Sequence, residues 1–539
     1  MDIVKKVLFK YKFPILIASI QWLITTLLQL DKAMFQYEAI TPKAVAVKIC
    51  YFILLLSAWS YGFFVRSKIK EHNKSYERGI FVFAVYFILI MVTTVILWPG
   101  TWTWDDIGIM TGVLGYTSFM AWQHFLTGLL HAVLLQVFPH PGVLILVQNL
   151  IISICVAFCV VKLENSFGLK ILKNAFIDTV IKLIPFIMPP VLLYQFSGYR
   201  MGLYVYLEFT MLVIALCAVK QEQMWSWQYA LLFDFLAILA ASWRSESLIY
   251  LPFIFLFLLL LNKRVLTLPK KLSSIVIISL AFLSINSLQK AYLGTGDYEI
   301  TSMMGTYSAI VRAADLDEDK EQLEIIGKVA DIDKILANPE MDGETLFWTA
   351  KAYHSDYTDK EFKDSLIAVV KLSLKYPLPV FEERWGVFLD STGVTGKVFR
   401  INWQSIKLFE QDETSNLDEY FQEMGYVPPF VGARKFLINL LSCNTTSGEQ
   451  ISVLRKIVWN AWIPMIALVV AWFNSIRKKN LCVFLIATAV VIRIPLVFLT
   501  EPTGWIMYLL SFYFLGYIYL VYKFILCWSK HSLKCVNQS

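Results

Sequence analysis

Nucleotide-binding motifs and a cytosolic soluble domain are both missing from this sequence, and charged residues are few. Asp, Glu, Lys and Arg make up only 17% of the 539 residues. There is no GxxxxGK[ST] phosphate loop and no GxGxxG motif after a strand. These absences argue against an ATP-driven pump and against an enzyme that uses a nucleotide sugar in a cytosolic domain.

Cysteine spacing also excludes two common kinds of small-domain scaffold. The chain has eight cysteines, and only Cys443 lies in a polar region, so neither a disulfide framework nor a zinc site is indicated. Lys and Arg exceed Asp and Glu by a net charge of +7. They are grouped in short loops between apolar runs, which is typical of loops on the cytoplasmic face of a membrane rather than of a nucleic-acid surface.

Apolar residues, by contrast, are abundant and occur in long runs. They make up 57% of the chain, which no soluble core of this size could bury, so we predict an all-α polytopic membrane protein. Candidate spans, each roughly 17 to 25 residues long, lie near 13–30, 45–65, 79–98, 122–138, 142–161, 183–198, 203–219, 226–242, 247–261, 272–289, 453–473, 481–499 and 505–525.

The positive loops fit one topology if a single candidate between 99 and 161 does not cross the membrane. The best exception is 122–138, which is short, carries several Gln and His residues and ends at Pro139-His-Pro-Gly142. About twelve crossings then remain, with both termini in the cytoplasm. The alternative, thirteen crossings, would put the C-terminal lysines outside, against the positive-inside rule.

The polar stretch between the two groups of spans has the size of a small domain. Segments 317–337 and 358–376 carry apolar residues at helical spacing, so we expect a mainly helical extracytoplasmic insert. The predicted division is an N-terminal bundle at 1–289 with an outer loop at 99–121, the insert at 290–452, and C-terminal transmembrane helices at 453–539.

Two adjacent carboxylates, Asp105 and Asp106, follow the span at 79–98 in the loop Trp98-Pro-Gly-Thr-Trp-Thr-Trp-Asp-Asp. Acidic pairs at a membrane surface have little structural use, so they indicate chemistry. They suit a general base or a divalent ion such as Mg²⁺ or Mn²⁺. Capping of a helix by Asp105 is the competing explanation.

Other charged residues fall on the same predicted outer face, namely Arg200, Arg244, Glu246, Arg493 and Glu501. Arginines suit phosphate or pyrophosphate, which they bind through two parallel hydrogen bonds. Ordinary explanations compete with a substrate role: Arg244 and Glu246 as a structural ion pair, Arg200 reaching from the membrane to the interface, and Arg493 in an interhelical hydrogen bond.

Two histidines, His124 and His131, lie seven residues apart and share one helix face. Metal binding would use such a pair. Helix polarity or hydrogen bonding within the protein is the more common role of histidines at this spacing.

These residues resemble the polytopic glycosyltransferases of the GT-C class, and more narrowly the uncharacterised bacterial ones of Gram-positive envelope loci. The likeness covers about residues 79–290 and 480–520. The matching segments are Trp98-Pro-Gly-Thr-Trp-Thr-Trp-Asp105-Asp106, Trp122-Gln-His124-Phe-Leu-Thr-Gly, Trp243-Arg-Ser-Glu246, and Glu501-Pro-Thr-Gly with Tyr508 and Tyr513.

The resemblance implies transfer of a sugar from a polyprenyl-phosphate or polyprenyl-pyrophosphate to an envelope acceptor on the outer side of a bacterial plasma membrane, often with a divalent metal. It implies that Asp105 or Asp106 is the catalytic base and that Arg200 and Arg244 hold the lipid phosphate. Glu246 would orient an arginine. The other substrate-binding residues carried over from the likeness are Trp104, His124 and Glu501.

Two positions depart from the family pattern. Phe125 stands where a proline is expected after the histidine, and the loop at Arg200 has no carboxylate before Glu208. A divalent ion usually recruits carboxylates from more than one loop, so the sequence leaves metal dependence open.

Two other functions use similar residues. A lipid-linked glycan polymerase or ligase would share the arginine-rich outer loops. A flippase or transporter of lipid-linked sugars would instead place charges near the bilayer midplane and use paired broken helices; Asp234 and Glu208, inside predicted spans, are the residues that favour it.

Overall fold

All regular structure in the part of the chain that the structure describes is helical, and no β-strand is present there. This is a computed structural model. It describes residues 2–27, 41–102, 109, 124–137, 140–169, 174–293, 298–395, 429–445, 450–477 and 479–536.

The N-terminal bundle contains eleven helices in these ranges. They are α1 (Asp2–Leu27), α2 (Pro42–Lys70), α3 (Lys74–Leu97), α4 (Phe125–Val137), α5 (Pro141–Phe167), α6 (Ala175–Leu183), α7 (Pro189–Gln195), α8 (Arg200–Gln221), α9 (Trp227–Ser242), α10 (Tyr250–Leu260) and α11 (Leu268–Leu293). Short 3₁₀ turns at Ile184–Ile187 and Ser245–Ile249 connect some of them.

The rest of the described chain continues in helices. The insert contributes α12 (Tyr298–Ala313), α13 (Lys320–Ile326), α14 (Ile332–Ala337), α15 (Gly343–Trp348), α16 (Asp359–Lys375), α17 (Pro377–Ser391) and α18 (Val431–Leu441). The last helices are α19 (Ser452–Val458), α20 (Trp462–Arg477), α21 (Leu481–Val491), α22 (Arg493–Thr500) and α23 (Leu510–Val536).

Within the residues that the structure describes, eight helical segments are long and apolar enough to cross a membrane. They are Lys48–Lys70, Lys74–Leu97, Pro141–Phe167, Arg200–Gln221, Leu268–Ala291, Val453–Arg477, Leu481–Thr500 and Leu510–Ser529. The fold is therefore all-α with apolar helices compatible with a membrane protein. The count of about twelve crossings and the sidedness of the loops stay predictions.

Helix α4 is the segment predicted not to cross. Its 13 residues span about 20 Å at the α-helical rise, which is short of the roughly 30 Å hydrocarbon layer of a bilayer. Helices α9 and α10, with 16 and 11 residues, are also short, so the statement that 122–138 is the segment that does not cross stays a prediction.

The prediction of one continuous span over 183–198 is wrong. The segments Ala175–Ile187 and Pro189–Gln195 are bent by 73° relative to each other. Prolines at 185, 189 and 190 explain the break, because a proline inside a helix removes a backbone donor and clashes with the preceding turn. The result is a short helix, α7, that ends just before Arg200.

Helix α8 runs through the centre of the bundle, and nearly all of its side chains are buried. It packs against α5, α9, α21 and α23. Its aromatic residues Tyr206 and Phe209 meet Phe514 of α23 at ring distances of 4.9 and 5.6 Å. A helix that is apolar all round is typical of such a central position.

Charged residues at one end of the bundle form a closed network, here called the Arg78 cluster. Arg78 of α3 contacts Glu164 of α5 at 2.7 Å and Asp178 of α6 at 3.2 Å. Lys182 of α6 contacts the same Glu164 at 2.7 Å and the same Asp178 at 2.6 Å. Two cations and two carboxylates are thus matched where α3, α5 and α6 meet.

The insert has two parts with different packing. Its first part has a small core of its own, to which Ile300, Met304 and Leu346 contribute from α12 and α15. Its later part joins the bundle instead, since Phe388 of α17 and Ile438 of α18 belong to the large core around α8. Helix α17 therefore links the insert to the bundle.

Candidate functional site

The base of the loop that precedes Asp105 is tightly packed. Trp98 stacks on His140 with ring centroids 4.9 Å apart. Trp102 is fully buried, donates from Nε1 to the Pro99 carbonyl at 3.2 Å, and meets the edge of His131 at 6.5 Å. The chain is therefore held firmly up to Trp102.

The end of the broken helix α7 supports this base. Thr101 donates its backbone N–H to the Phe196 carbonyl at 2.7 Å and its hydroxyl to the Leu193 carbonyl at 3.1 Å. These bonds satisfy carbonyls that a helix end leaves without a partner. A Cβ at Gly198 would lie 2.5 Å from the Trp102 ring, so only glycine fits there without a shift.

Trp104, Asp105 and Asp106 lie outside the described residues. The predictions that Asp105 and Asp106 are catalytic or metal-binding, and that Trp104 binds substrate, stay predictions. Their chain connection to the described base is at Trp102.

Arg200 begins α8 and lines a narrow cleft together with Thr127, His131, Gln148 and Trp243. The enclosed space is ≈ 10 Å³, which is about the volume that one water needs. A sugar would therefore require the cleft to widen.

The polar walls of this cleft are already hydrogen-bonded. Trp243 Nε1 donates to Thr127 Oγ1 at 2.9 Å, and His131 Nε2 donates to the Gly198 carbonyl at 3.1 Å. Gln148 Nε2 donates to the carbonyls of Gln195 and Ser197 at 2.7 and 3.0 Å. These bonds fix the wall around Arg200.

His124 lies just before α4 and near Arg200. Its Nδ1 accepts from the Leu126 backbone N–H at 3.2 Å. Burial, followed by the positive charge of Arg200, lowers the pKa of His124 to about 4. His124 is therefore neutral near pH 7.

Arg244 and Glu246 form the ion pair that their spacing predicts. Arg244 is buried, and its Nε and Nη2 both face Glu246 Oε1. Its Nη1 contacts Met201 Sδ of α8, and its guanidinium lies 5.7 Å from the Tyr508 ring centroid. The pair fixes Arg244 between the ends of α8, α9 and the segment before α23.

A second ion pair lies deeper, between Arg493 of α22 and Glu208 of α8. Both side chains are fully buried, and Arg493 Nη1 contacts Glu208 Oε1. Arg493 also donates to the Tyr250 hydroxyl at 2.9 Å, and Ser511 donates to Glu208 Oε2 at 2.6 Å. Sequence reasoning did not assign Tyr250 or Ser511 to this site; the available signal was a glutamate and an arginine inside apolar runs.

These residues form one electrostatic group, here called the Arg200 cluster. Glu246 interacts with Arg244, Arg200 and Arg493, in decreasing order of strength. Glu208 interacts with Arg493. Among the described residues of the cluster, Arg244 pairs with Glu246 and Arg493 pairs with Glu208, and Arg200 lies within electrostatic range of Glu246.

Glu501, predicted to bind substrate, lies at the junction of α17 and α22. It is buried, and its Oε2 accepts from Ser391 at 2.7 Å. Arg384 donates to the backbone carbonyl of Glu501 at 2.7 Å. Burial raises the pKa of Glu501 to about 8, against the smaller opposing effects of Ser391 and Arg384.

The described residues include no group of three or more His, Cys, Asp and Glu side chains placed to hold a metal ion. Glu208 and Glu246 are both engaged by arginines. The described part of the site therefore does not fit a divalent ion, and the predicted metal ligands Asp105 and Asp106 lie outside it.

No protein-family model, no curated protein and no solved structure matches this chain. The likeness to GT-C glycosyltransferases thus stays a prediction. What the chain does is inferred from its own residues and their geometry.

Proposed function

We propose that this chain is a membrane glycosyltransferase that moves a sugar from a polyprenyl-phosphate or polyprenyl-pyrophosphate to an envelope acceptor outside the plasma membrane. The observation that carries the proposal is the Arg200 cluster: Arg200, Arg244 and Arg493 all interact with Glu246, beside a cleft that Arg200 and Trp243 line. Guanidinium groups bind phosphate through parallel hydrogen bonds, so this end of the bundle suits an anionic lipid phosphate.

The position of Arg200 supports the same assignment. Arg200 follows Gly198 by two residues, and Gly198 packs against the ring of Trp102. Asp105 follows Trp102 by three residues, so covalent connectivity limits the Cα separation of Trp102 and Asp105 to about 11 Å. The loop that carries Asp105 thus leaves the described base beside the residues that precede Arg200, as a site shared by a carboxylate and a guanidinium requires.

The proposed chemistry needs only these two kinds of group. Asp105 or Asp106 takes the proton of an acceptor hydroxyl while the hydroxyl oxygen forms a bond to the anomeric carbon of the sugar. The bond from that carbon to the phosphate oxygen breaks, and the electron pair leaves with the phosphate. Arg200, with Arg244 fixed beside it, stabilises the departing phosphate.

The second candidate function is a flippase for the same lipids. It is favoured by charge inside apolar helices: the Glu208–Arg493 pair is fully buried, and Asp234 of α9 is buried with Ser274 as its hydrogen-bond donor at 3.0 Å. Transporters of this kind use pairs of broken helices. Within the described ranges one helix pair is sharply bent, Ala175–Ile187 with Pro189–Gln195.

The test uses Asp105→Asn and Asp106→Asn, made separately. Purified protein in lipid is given a synthetic polyprenyl-phosphate sugar, and free polyprenyl phosphate is measured. Loss of a general base lowers such rates roughly 10²- to 10⁴-fold. Asp317→Asn, an exposed carboxylate of the insert, is the matched control and should keep full activity.

The same proteins distinguish the competing functions. In cells, the transferase proposal requires altered envelope glycans with normal membrane abundance in at least one of the two variants. Unchanged glycans in both would contradict the catalytic assignment. Sugar-independent movement of labelled lipid across proteoliposomes would support the flippase, and transfer of a whole oligosaccharide would indicate a polymerase or ligase.

A further inference from the structure

Helix α16 of the insert has an exposed apolar face that its own core does not use. Its opposite face packs inward through Ala368 and Leu372. On the outer face Ile367, Val370 and Leu374 are 57%, 60% and 80% exposed. Spacings of three and four residues place these side chains in one row along the helix. Such a row is costly in water, so it indicates a contact surface.

Lysines accompany this row. Lys360, Lys363 and Lys371 are exposed, and helical spacing puts them on the same face as Ile367. Asp359 at the start of α16 is exposed, and Asp364, three residues before Ile367, is half-buried, so the lysines outnumber the carboxylates on this face. An apolar stripe flanked by lysines is typical of helices that lie in the surface of a membrane containing anionic lipids.

Helix α17 continues the exposed apolar surface toward the apolar spans. Leu378 and Phe381 are 70% and 52% exposed. The Phe381 ring lies 6.1 Å from Phe498, close to the end of the candidate span Leu481–Thr500. Trp385, one turn further, lies 6.0 Å from Trp462 at the start of α20. Aromatic residues at the ends of spans are typical of the membrane–water interface.

We propose that Ile367, Val370, Leu374, Leu378 and Phe381 form a membrane-contact face that seats the insert on anionic lipid. The occupant is a lipid surface because the face is continuous with the ends of apolar spans and its exposed charges on α16 are mainly positive. The proposal depends on the membrane placement of α20 to α22. It does not depend on the transferase reaction.

The contact would connect lipid to the candidate site through packed elements. Helix α17 carries Arg384 and Ser391, which bind Glu501 at the end of α22. Helix α22 begins at Arg493 of the Arg200 cluster. Seating of α16 and α17 on the membrane would therefore hold α22 in place.

The test labels the full-length protein in lipid nanodiscs. Leu374→Cys receives a fluorescent label after Cys50, Cys482, Cys527 and Cys535 are replaced by Ser. Leu336→Cys is the matched control, because Leu336 is also exposed, at 40%, but lies on α14, which packs against α12. The quenchers are a nitroxide carried by lipid and a water-soluble one.

The proposal predicts that lipid-carried nitroxide quenches the label at 374 at least about threefold more than the label at 336. Lys363→Gln with Lys371→Gln should reduce this quenching in discs that contain phosphatidylglycerol and leave it unchanged in neutral discs, since the lysines act on anionic headgroups. Equal lipid quenching at the two positions, with 374 open to the water-soluble quencher, would overturn the proposal and leave the face for a protein partner.

Discussion

The two ends of the bundle hold buried charges in different arrangements. In the Arg78 cluster two cations meet two carboxylates, and every charge has an opposite partner within 3.2 Å. In the Arg200 cluster Arg244 pairs with Glu246 and Arg493 with Glu208, while Arg200 lines a cleft. A balanced buried network is what stability requires, because any unmatched charge would be costly. An arginine that lines a cleft can also bind an anionic ligand.

The connections of the two clusters differ as well. The Arg78 cluster joins α3, α5 and α6, and its most distant pair is 100 positions apart. The Arg200 cluster gathers α8, the segment after α9, and α22, and its deeper pair joins residues 285 positions apart. The first therefore stabilises a local corner, whereas the second forms only once the whole bundle is assembled. We accordingly expect stability to depend most on the first and activity on the second.

The largest expected effect is a loss of stability when the Arg78 cluster is broken. Lys182→Met leaves Glu164 and Asp178 with one cation between them, and breaking a buried ion network of this kind costs roughly 3–5 kcal/mol. Thermal unfolding in detergent should show a clear loss of stability, and the surviving folded protein should keep its specific activity. Lys220→Met, an exposed lysine at the end of α8, is the control. Equal stability of the two variants would remove the structural role of the Arg78 cluster.

The next effect should fall on activity. Arg200→Gln removes the cation that lines the cleft, and loss of one such donor to a developing anion costs roughly 100-fold in rate. Unfolding temperature should change little, because Arg200 lies at the first turn of α8 rather than inside it. Arg264→Gln, at an exposed loop, is the matched control. A variant that lost stability in proportion to activity would make Arg200 a structural residue like Lys182.

Sequence reasoning was most successful where local pattern decides the structure. Long apolar runs at 79–98 and 203–219 are helices, as predicted, because periodicity and length are local properties. The run at 183–198 failed because its prolines outweigh its hydrophobicity. A count of apolar residues does not predict the bend that these prolines cause.

The sequence predicts which charged residues belong to the candidate site better than it predicts which residues they contact. Arg244 and Glu246 are two residues apart, so their pairing was foreseeable, and the structure confirms it. The pairing of Arg493 with Glu208, and the use of Tyr250 and Ser511 as their partners, depends on how four distant elements pack. Glu501 is the clearest case: its acidity suggested substrate binding, and its surroundings place it between α17 and α22.

Glu501 gives a pH-dependent test of the junction that positions α22. Its pKa is about 8 in the folded protein, above the ordinary value for a glutamate, so the folded state holds a proton that the unfolded chain releases. Stability should therefore fall as pH rises from about 5 to 8, by at most about 1.4 kcal/mol per pH unit for this group. Below that window Glu501 is protonated in both states and contributes no slope.

Glu501→Gln should remove this slope while keeping an acceptor for Ser391, so unfolding curves of the two proteins should converge at low pH and separate at pH 8. Charged groups facing Glu501 include Arg384, Glu383 and Asp390. Asp317→Asn on the insert surface controls for general titration. Parallel pH profiles for the wild type and the Gln variant would refute a buried, protonated Glu501.

The smallest effect is expected from replacing one arginine by lysine in each cluster. This pair of variants distinguishes the two clusters most directly. Arg78→Lys keeps the charge balance but loses one of the two parallel hydrogen bonds to Glu164. The free energy of unfolding should therefore fall by only about 1 kcal/mol. Lys182 already shows that an ammonium fits among the same carboxylates. Arg200→Lys also keeps its charge, but recognition of a phosphate through two parallel hydrogen bonds needs the planar guanidinium. We therefore expect activity to drop about tenfold in Arg200→Lys and to stay at the wild-type level in Arg78→Lys; equal activity in both would mean that charge alone, and not bidentate binding, is what the Arg200 cluster provides.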